Sequence, residues 1–187
     1  MNIGLYSEPT NESLPNYRGL YRQNGLIDFC DSSSHAVRKE IDWYFSNAKD
    51  GGFLGYSKET HRRVLLLYGL LTAEKWPGEI IAFTDKMTAP PTGAALLGYD
   101  ICADSRYYSP LGDGFLEVYD RHSLFCLEMD ENIFRGFQNA LNANGLFSSY
   151  AFAQEFAEYC NYVNSQHIHA IESEENWRPF SVYRLGE

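Results

Sequence analysis

Apolar residues recur at helical spacing in two neighbouring segments near the end of the chain, residues 131–143 and 150–163. Spacings of three and four residues place side chains on one face of an α-helix. The residues that share a face are Ile133, Phe134, Phe137 and Leu141 in the first segment and Phe152, Phe156, Tyr159 and Val163 in the second. Asn144-Gly145 separates the two segments, as a turn does. Each predicted helix is apolar on one side only, so each must pack against another layer of structure.

Two further helices are predicted in the first half of the chain. The first follows the N-cap candidates at 31–34 and carries apolar residues at helical spacing over 37–48. Residues 57–74 favour a buried helix capped by Ser57, although the apolar stretch 64–68 also fits a buried strand.

Short apolar or alternating segments bounded by turn residues predict strands. They are residues 79–84, 94–103, 115–119, 123–128, 168–171 and 180–185, of which 115–119 and 123–128 would form a hairpin. Strands mixed with helices that group late in the chain are typical of the α+β class. We therefore expect a single globular domain over residues 1–187, with a mixed or largely antiparallel sheet packed with about four helices.

The cysteines give no sign of a metal or redox site. Cys30, Cys102, Cys126 and Cys160 lie far apart and form no CxxC pair, so each is expected to be a buried, reduced thiol. The first residues lack the basic and apolar regions of a signal peptide, and the apolar run 64–71 is too short to cross a bilayer. These features predict a cytoplasmic protein with no membrane contact.

Negative charge is concentrated in the second half of the sequence. Residues 1–93 contain 10 Lys+Arg and 11 Asp+Glu, whereas residues 94–187 contain 5 and 14, within a net charge of −10. Such a field attracts cationic partners and repels polyanions. The sequence therefore predicts neither nucleic-acid binding nor binding to anionic lipid, and it favours a basic partner.

Few residues suggest catalysis. The sequence has no GxSxG, GxGxxG, Walker A, HExxH or EF-hand pattern, and no cofactor is predicted. His167 and His169 would share one face of a strand and could bind a metal ion, but no third ligand stands at a fixed spacing. Asp100 and Asp104 are the best carboxylate pair. The alternative to a binding protein is therefore a small cytosolic hydrolase or transferase that uses Asp100 and Asp104 with His167 or His169.

The remaining histidines, His35, His61 and His122, lie among polar residues or in a predicted turn and are expected to be solvated. The acidic residues of the second half form three groups, in the regions 100–120, 128–131 and 172–175. In the middle group, acids at the start of a predicted helix have a local explanation, because they complement the helix dipole.

The first acidic group is interleaved with aromatic side chains on a turn-rich segment. Carboxylates steer a basic partner during encounter, while aromatic anchors supply affinity. The predicted partner-binding residues are Asp100, Asp104, Tyr107, Tyr108, Asp113, Glu117 and Asp120, together with Glu172, Glu174 and Glu175.

Three stretches of the sequence carry a family resemblance: residues 97–101, 109–114 and 141–147. In these stretches the chain resembles small bacterial immunity proteins of polymorphic and contact-dependent growth inhibition toxin systems. The resemblance implies a cytoplasmic, acidic and non-catalytic protein that occludes the active site or substrate surface of a cognate toxin, often a basic nuclease. It supplies no catalytic residues, and it leaves the toxin and the oligomeric state open.

Overall fold

The computed structural model of the protein describes residues 1–6, 33–48, 53–85, 90, 92–102, 116, 119, 129–166 and 176–186. These residues form four helices and five strands. The helices are α1 (His35–Asn47), α2 (Lys58–Ala73), α3 (Glu131–Asn139) and α4 (Tyr150–Gln166), and the strands are β1 (Asn2–Tyr6), β2 (Leu54–Gly55), β3 (Glu79–Thr84), β4 (Ala94–Cys102) and β5 (Arg178–Leu185). The predicted α+β class is confirmed.

The five strands form one sheet in the order β2-β1-β3-β5-β4. Strand β1 is antiparallel to both of its neighbours, and its residue Ile3 lies opposite Leu54 of β2 and Ala82 of β3. Ile3 and Leu5 point to the same face because side chains alternate along a strand, and both are fully buried. The Leu5 N–H donates a hydrogen bond of 3.0 Å to the hydroxyl of buried Tyr44, which joins α1 to β1.

The chain divides into two compact units. The first unit comprises residues 1–15, 22–97 and 182–187, and the second comprises residues 16–21 and 98–181. The boundary falls inside β4 and inside β5, so each of these strands contributes residues to both units. A single domain over residues 1–187 stays a prediction.

Helices α1 and α2 of the first unit pack on a mainly aliphatic cluster. Helix α2 begins at the predicted cap, where the Ser57 hydroxyl accepts a hydrogen bond of 3.0 Å from the Thr60 N–H. Its buried residues Val64, Leu67 and Leu71 recur at helical spacing, so the alternative strand at 64–68 is wrong.

The second unit packs α3 and α4 around aromatic rings. The ring centroid of Phe156 lies 5.0 Å from that of Phe137 and 5.3 Å from that of Phe147. The small residues Ala153 and Ala157 are also buried in this core. Centroid distances between 4.5 and 7 Å are those at which aromatic pairs attract each other.

Helix α3 is shorter than predicted, since it ends at Asn139 and not at residue 143. The chain turns back there: the Ser148 N–H donates to the Ala140 carbonyl at 2.9 Å, and Leu141 forms an antiparallel bridge with Phe147. Ile133, expected on the packed face, is 52% exposed. Tertiary hydrogen bonds therefore end this helix before its apolar pattern does.

Several predicted strands cannot be compared with the structure. The segments 123–128 and 168–171 lie outside the described residues, as does most of 115–119. Leu116 and Tyr119 are described, and neither lies in a strand. Strands 79–84, 94–103 and 180–185 are confirmed as β3, β4 and β5, which begins two residues earlier than predicted.

Candidate functional site

Of the ten predicted partner-binding residues, the structure describes Asp100 alone. The others lie outside the described residues and stay predictions: Asp104, Tyr107, Tyr108, Asp113, Glu117, Asp120, Glu172, Glu174 and Glu175. His167 and His169, the pair named in the alternative enzyme hypothesis, also lie outside them.

Asp100 is not on the surface. It lies in the C-terminal half of β4, is 0% exposed, and its Oδ1 accepts a hydrogen bond of 2.7 Å from the Ile101 N–H. A buried carboxylate does not meet the side chains of a partner, so the assignment of Asp100 to a partner-binding face is wrong.

The two described cysteines, Cys102 and Cys160, are fully buried. Burial raises the pKa of the Cys160 thiol, and burial followed by the negative charge of Asp100 raises the pKa of Cys102 against the opposing charge of Arg178. Both thiols are therefore protonated at neutral pH, as a structural cysteine requires and a nucleophile does not. This confirms the expectation for these two residues.

Asp130 and Glu131, the described residues of the middle acidic group, have the local role that the sequence predicts. The Asp130 carboxylate caps α3, since it accepts a hydrogen bond of 2.8 Å from the Asn132 N–H. Glu131 in the first turn forms an exposed ion pair of 3.5 Å with Arg135. Exposed pairs of this kind contribute little to stability, and neither acid requires a partner molecule.

The described part of the chain holds no group of three or more His, Cys, Asp or Glu side chains placed to bind a metal ion. His35 is exposed, as expected. His61 is half-buried, contrary to expectation: its Nδ1 lies 3.4 Å from the Tyr56 hydroxyl, and its Nε2 is buried without a hydrogen-bond partner among the described residues.

Two of the segments that carry the family resemblance lie against each other. Tyr99 of β4 and Phe147 exchange backbone hydrogen bonds of 3.0 and 2.8 Å. Gly98, the residue before Tyr99, has a φ of +149°, and a Cβ there would come within 2.7 Å of both Asn142 Nδ2 and Leu146 Cβ. Residues 97–101 and 141–147 thus have a packing role, which by itself indicates no partner.

Helix α4 presents a contrast between its two faces. The buried face contains Ala153, Phe156, Ala157, Cys160 and Val163. The exposed side of the helix, which we call the α4 outer face, contains Phe152, Glu155, Glu158 and Tyr162. Phe152 is 41% exposed and Tyr162 is 52% exposed, whereas the sequence predicts Phe152 on the packed face.

The misplacement of Phe152 follows from helix geometry. At about 100° per residue, Phe152 lies about 40° from Phe156, at the edge of the buried face, and long-range packing decides on which side it falls. Glu155 and Glu158 belong to none of the three acidic groups noted in the sequence. A helical projection would have found them, because they share a stripe with Tyr162 opposite the apolar side.

The charge asymmetry of the sequence coincides with the structural units. The first unit contains 10 Lys+Arg and 12 Asp+Glu, whereas the second contains 5 and 13. The second unit has no lysine. Most of the net negative charge therefore belongs to the unit that contains α4.

None of the described helices has the length and apolarity needed to span a membrane. No protein-family model matches the chain, and no curated protein or solved structure matches it significantly.

Proposed function

We propose that this protein is a non-catalytic, acidic binding protein of the immunity type. It acts in the cytoplasm, where it neutralises a cognate basic toxin domain by covering the active site or the substrate surface of that toxin. A toxin that cleaves or binds nucleic acid presents Lys and Arg to phosphates, and an acidic surface competes for the same cations.

One observation carries the proposal: the second unit has 13 acidic and 5 basic residues, while the first unit is close to neutral. Negative charge that served solubility alone would not need to be concentrated in one unit. A field confined to one unit attracts a cationic surface to that unit and orients it during encounter.

Two described carboxylates lie outside the proposed contact, because Asp100 is buried and Asp130 caps α3. The other predicted contacts remain part of the proposal, with Tyr107 and Tyr108 as aromatic anchors. They are Asp104, Asp113, Glu117, Asp120, Glu172, Glu174 and Glu175. Those in the region 104–120 follow from the sequence, where acidic and aromatic residues are interleaved.

The test is a pull-down from lysate of the host at low salt, in parallel with co-expression of the product of the adjacent gene. Bound proteins are eluted with a salt gradient and identified. We expect a single basic domain that leaves at high salt and whose toxicity is suppressed by co-expression. Absence of any salt-sensitive partner in both experiments would contradict the proposal.

Charge reversal then tests the predicted contacts. Asp104→Lys with Asp113→Lys should slow association and weaken its salt dependence, because long-range attraction drives encounter and is screened beyond about 10 Å at 0.1 M salt. The matched control is Asp42→Lys with Glu59→Lys, at exposed sites on α1 and α2 of the first unit. Equal rates for the double variant and the control would overturn this placement of the contact.

A further inference from the structure

The α4 outer face combines two exposed aromatic rings with two exposed carboxylates on one regular helix. Phe152, Glu155, Glu158 and Tyr162 are spaced by three, three and four residues, which aligns them along about 15 Å of helix. Glu158 accepts a hydrogen bond of 2.7 Å from Gln154, its neighbour one turn earlier. Neither glutamate forms an ion pair with any described residue.

The charge of this face has one sign. Helix α4 contains no Lys, Arg or His in its 17 residues. The helix belongs to the acidic unit, so the surrounding field has the same sign as Glu155 and Glu158. A cationic surface is complementary to such a face, whereas an acidic surface, such as a second copy of this unit, is repelled by it.

The aromatic rings fit a partner rich in Lys and Arg. Tyr and Phe are rigid side chains that bury a large area at low entropic cost, and Tyr is enriched among the residues that dominate interface energies. Arg and Lys also bury their methylene groups against apolar surface and stack on aromatic faces. Phe152 and Tyr162 would cover the aliphatic stems of side chains whose charged ends reach Glu155 and Glu158.

The helix is anchored from behind, so the face is held in place before a partner arrives. Phe156 packs in the ring cluster on the buried side. Asn161 donates through Nδ2 to the Trp177 carbonyl and accepts through Oδ1 from the Trp177 N–H, both at 2.8 Å. A preorganised face loses less conformational entropy on binding.

From these observations we propose that the α4 outer face is a contact surface for the basic protein partner, separate in sequence from the predicted contacts at 104–120. This inference rests on the proposed function. One helix face is smaller than a standard interface of about 800 Å² per partner, so it would supply one part of the contact.

The experiment uses the full chain and, as probe, the purified basic domain released by the salt gradient. Glu155→Lys with Glu158→Lys should lower the association rate about tenfold or more at low salt and reduce the salt dependence of that rate. Tyr162→Ala should raise the dissociation constant about tenfold, mainly through faster dissociation.

Matched controls separate local contact from overall charge and from general loss of apolar surface. Asp42→Lys with Glu59→Lys makes the same charge change on exposed residues of α1 and α2, and it should alter association much less. Leu66→Ala truncates a side chain that is 56% exposed on α2, close to the 52% of Tyr162, and should change the dissociation constant less than twofold. Thermal unfolding confirms that each variant is folded.

The outcomes are distinguishable. If a basic partner is recovered and the α4 variants bind it like the controls, the α4 assignment is overturned and the proposed function stands. If no basic partner is recovered, both fail. If sedimentation shows that the protein self-associates and that Tyr162→Ala abolishes this, the face serves a second copy and the assignment is likewise overturned.

Discussion

The principal buried clusters of the two units contain different kinds of side chain. The cluster of the first unit has 13 described residues, of which only Tyr44 and Trp76 are aromatic. Outside this cluster, the buried rings of Phe53 and Phe83 pack edge to face in the same unit, with their centroids 4.6 Å apart. The cluster of the second unit has 12 described residues, five of them aromatic: Phe134, Phe137, Phe147, Phe156 and Trp177. The rings of the second core share their space with small residues such as Ala153, whereas branched aliphatic residues of similar size fill the first.

This difference in packing accompanies the difference in charge. The second unit carries 13 acidic and 5 basic residues, and the first unit carries 12 and 10. Ring pairs have preferred distances and angles, so a cluster of interlocked rings fixes the orientation of the helices that supply them. In the proposed function, the unit that meets a partner is the one in which both helices contribute rings to a single buried cluster.

Substitutions that create a cavity in either core should lower the free energy of unfolding most. Each should loosen mainly the unit in which it lies. Phe156→Ala removes a ring that contacts Phe137 and Phe147, and should cost about 3–5 kcal/mol; Leu67→Ala in the first core should cost about 2–5 kcal/mol. Hydrogen exchange should rise mainly over residues 129–166 in the first variant and over 58–84 in the second. An equal rise everywhere in both would contradict two separate cores and support the single domain predicted from the sequence.

Adding a methyl group at Gly98 should lower the free energy of unfolding nearly as much as removing the Phe156 ring. Gly98→Ala places a Cβ within 2.9 Å of the Phe147 carbonyl oxygen at a φ of +149°, so we expect a loss of about 3 kcal/mol from backbone strain and overpacking. Gly136→Ala, on the exposed side of α3 where a Cβ meets no atom within 4 Å, should instead stabilise the same unit by about 0.5–1 kcal/mol. Chemical denaturation measures both, and a neutral Gly98→Ala would show that β4 does not lie this close to 142–147.

The fold was predictable where one local pattern dominates. The buried residues Val37, Ile41 and Tyr44 of α1 recur at the expected spacing, and the apolar run of β3 matches a strand buried almost throughout. The end of α3 was not predictable in this way. Its apolar pattern continues to Leu141, but hydrogen bonds from residues 146–148 turn the chain after Asn139.

The candidate site was predictable as a charge distribution and not as a set of positions. Counting charges along the chain finds the acidic half, because charge is additive and needs no coordinates. Burial depends on distant neighbours: it removes Asp100 from the surface and leaves Phe152 partly exposed. Glu155 and Tyr162 are recognised as part of one exposed face only when the buried side of α4 is known.

The buried thiol of Cys160 should make the free energy of unfolding depend on pH in the alkaline range. The pKa of Cys160 is raised by burial from its ordinary value of 9.0, so the folded protein retains a proton that the unfolded chain loses. Stability is therefore fully present below pH 9 and falls as pH rises above it, by about 1.4 kcal/mol per pH unit for this thiol. Urea unfolding at several pH values gives the free energy of unfolding as a function of pH. This free energy should fall less steeply with pH in Cys160→Ala than in the unaltered protein. An identical fall in both would show that the thiol ionises while the protein is folded.

The smallest expected effects lie in the near-neutral unit, where two serines at helix N-caps should behave differently. The Ser57 hydroxyl accepts a hydrogen bond from the Thr60 N–H at the start of α2, so Ser57→Ala should cost about 1 kcal/mol. Ser34 makes no side-chain cap at the start of α1, where its own N–H donates to the Glu74 carboxylate at 3.2 Å. Ser34→Ala should therefore cost much less. Equal losses in denaturant unfolding would mean that the Ser34 hydroxyl caps α1 in solution and that both helices of the first unit begin alike.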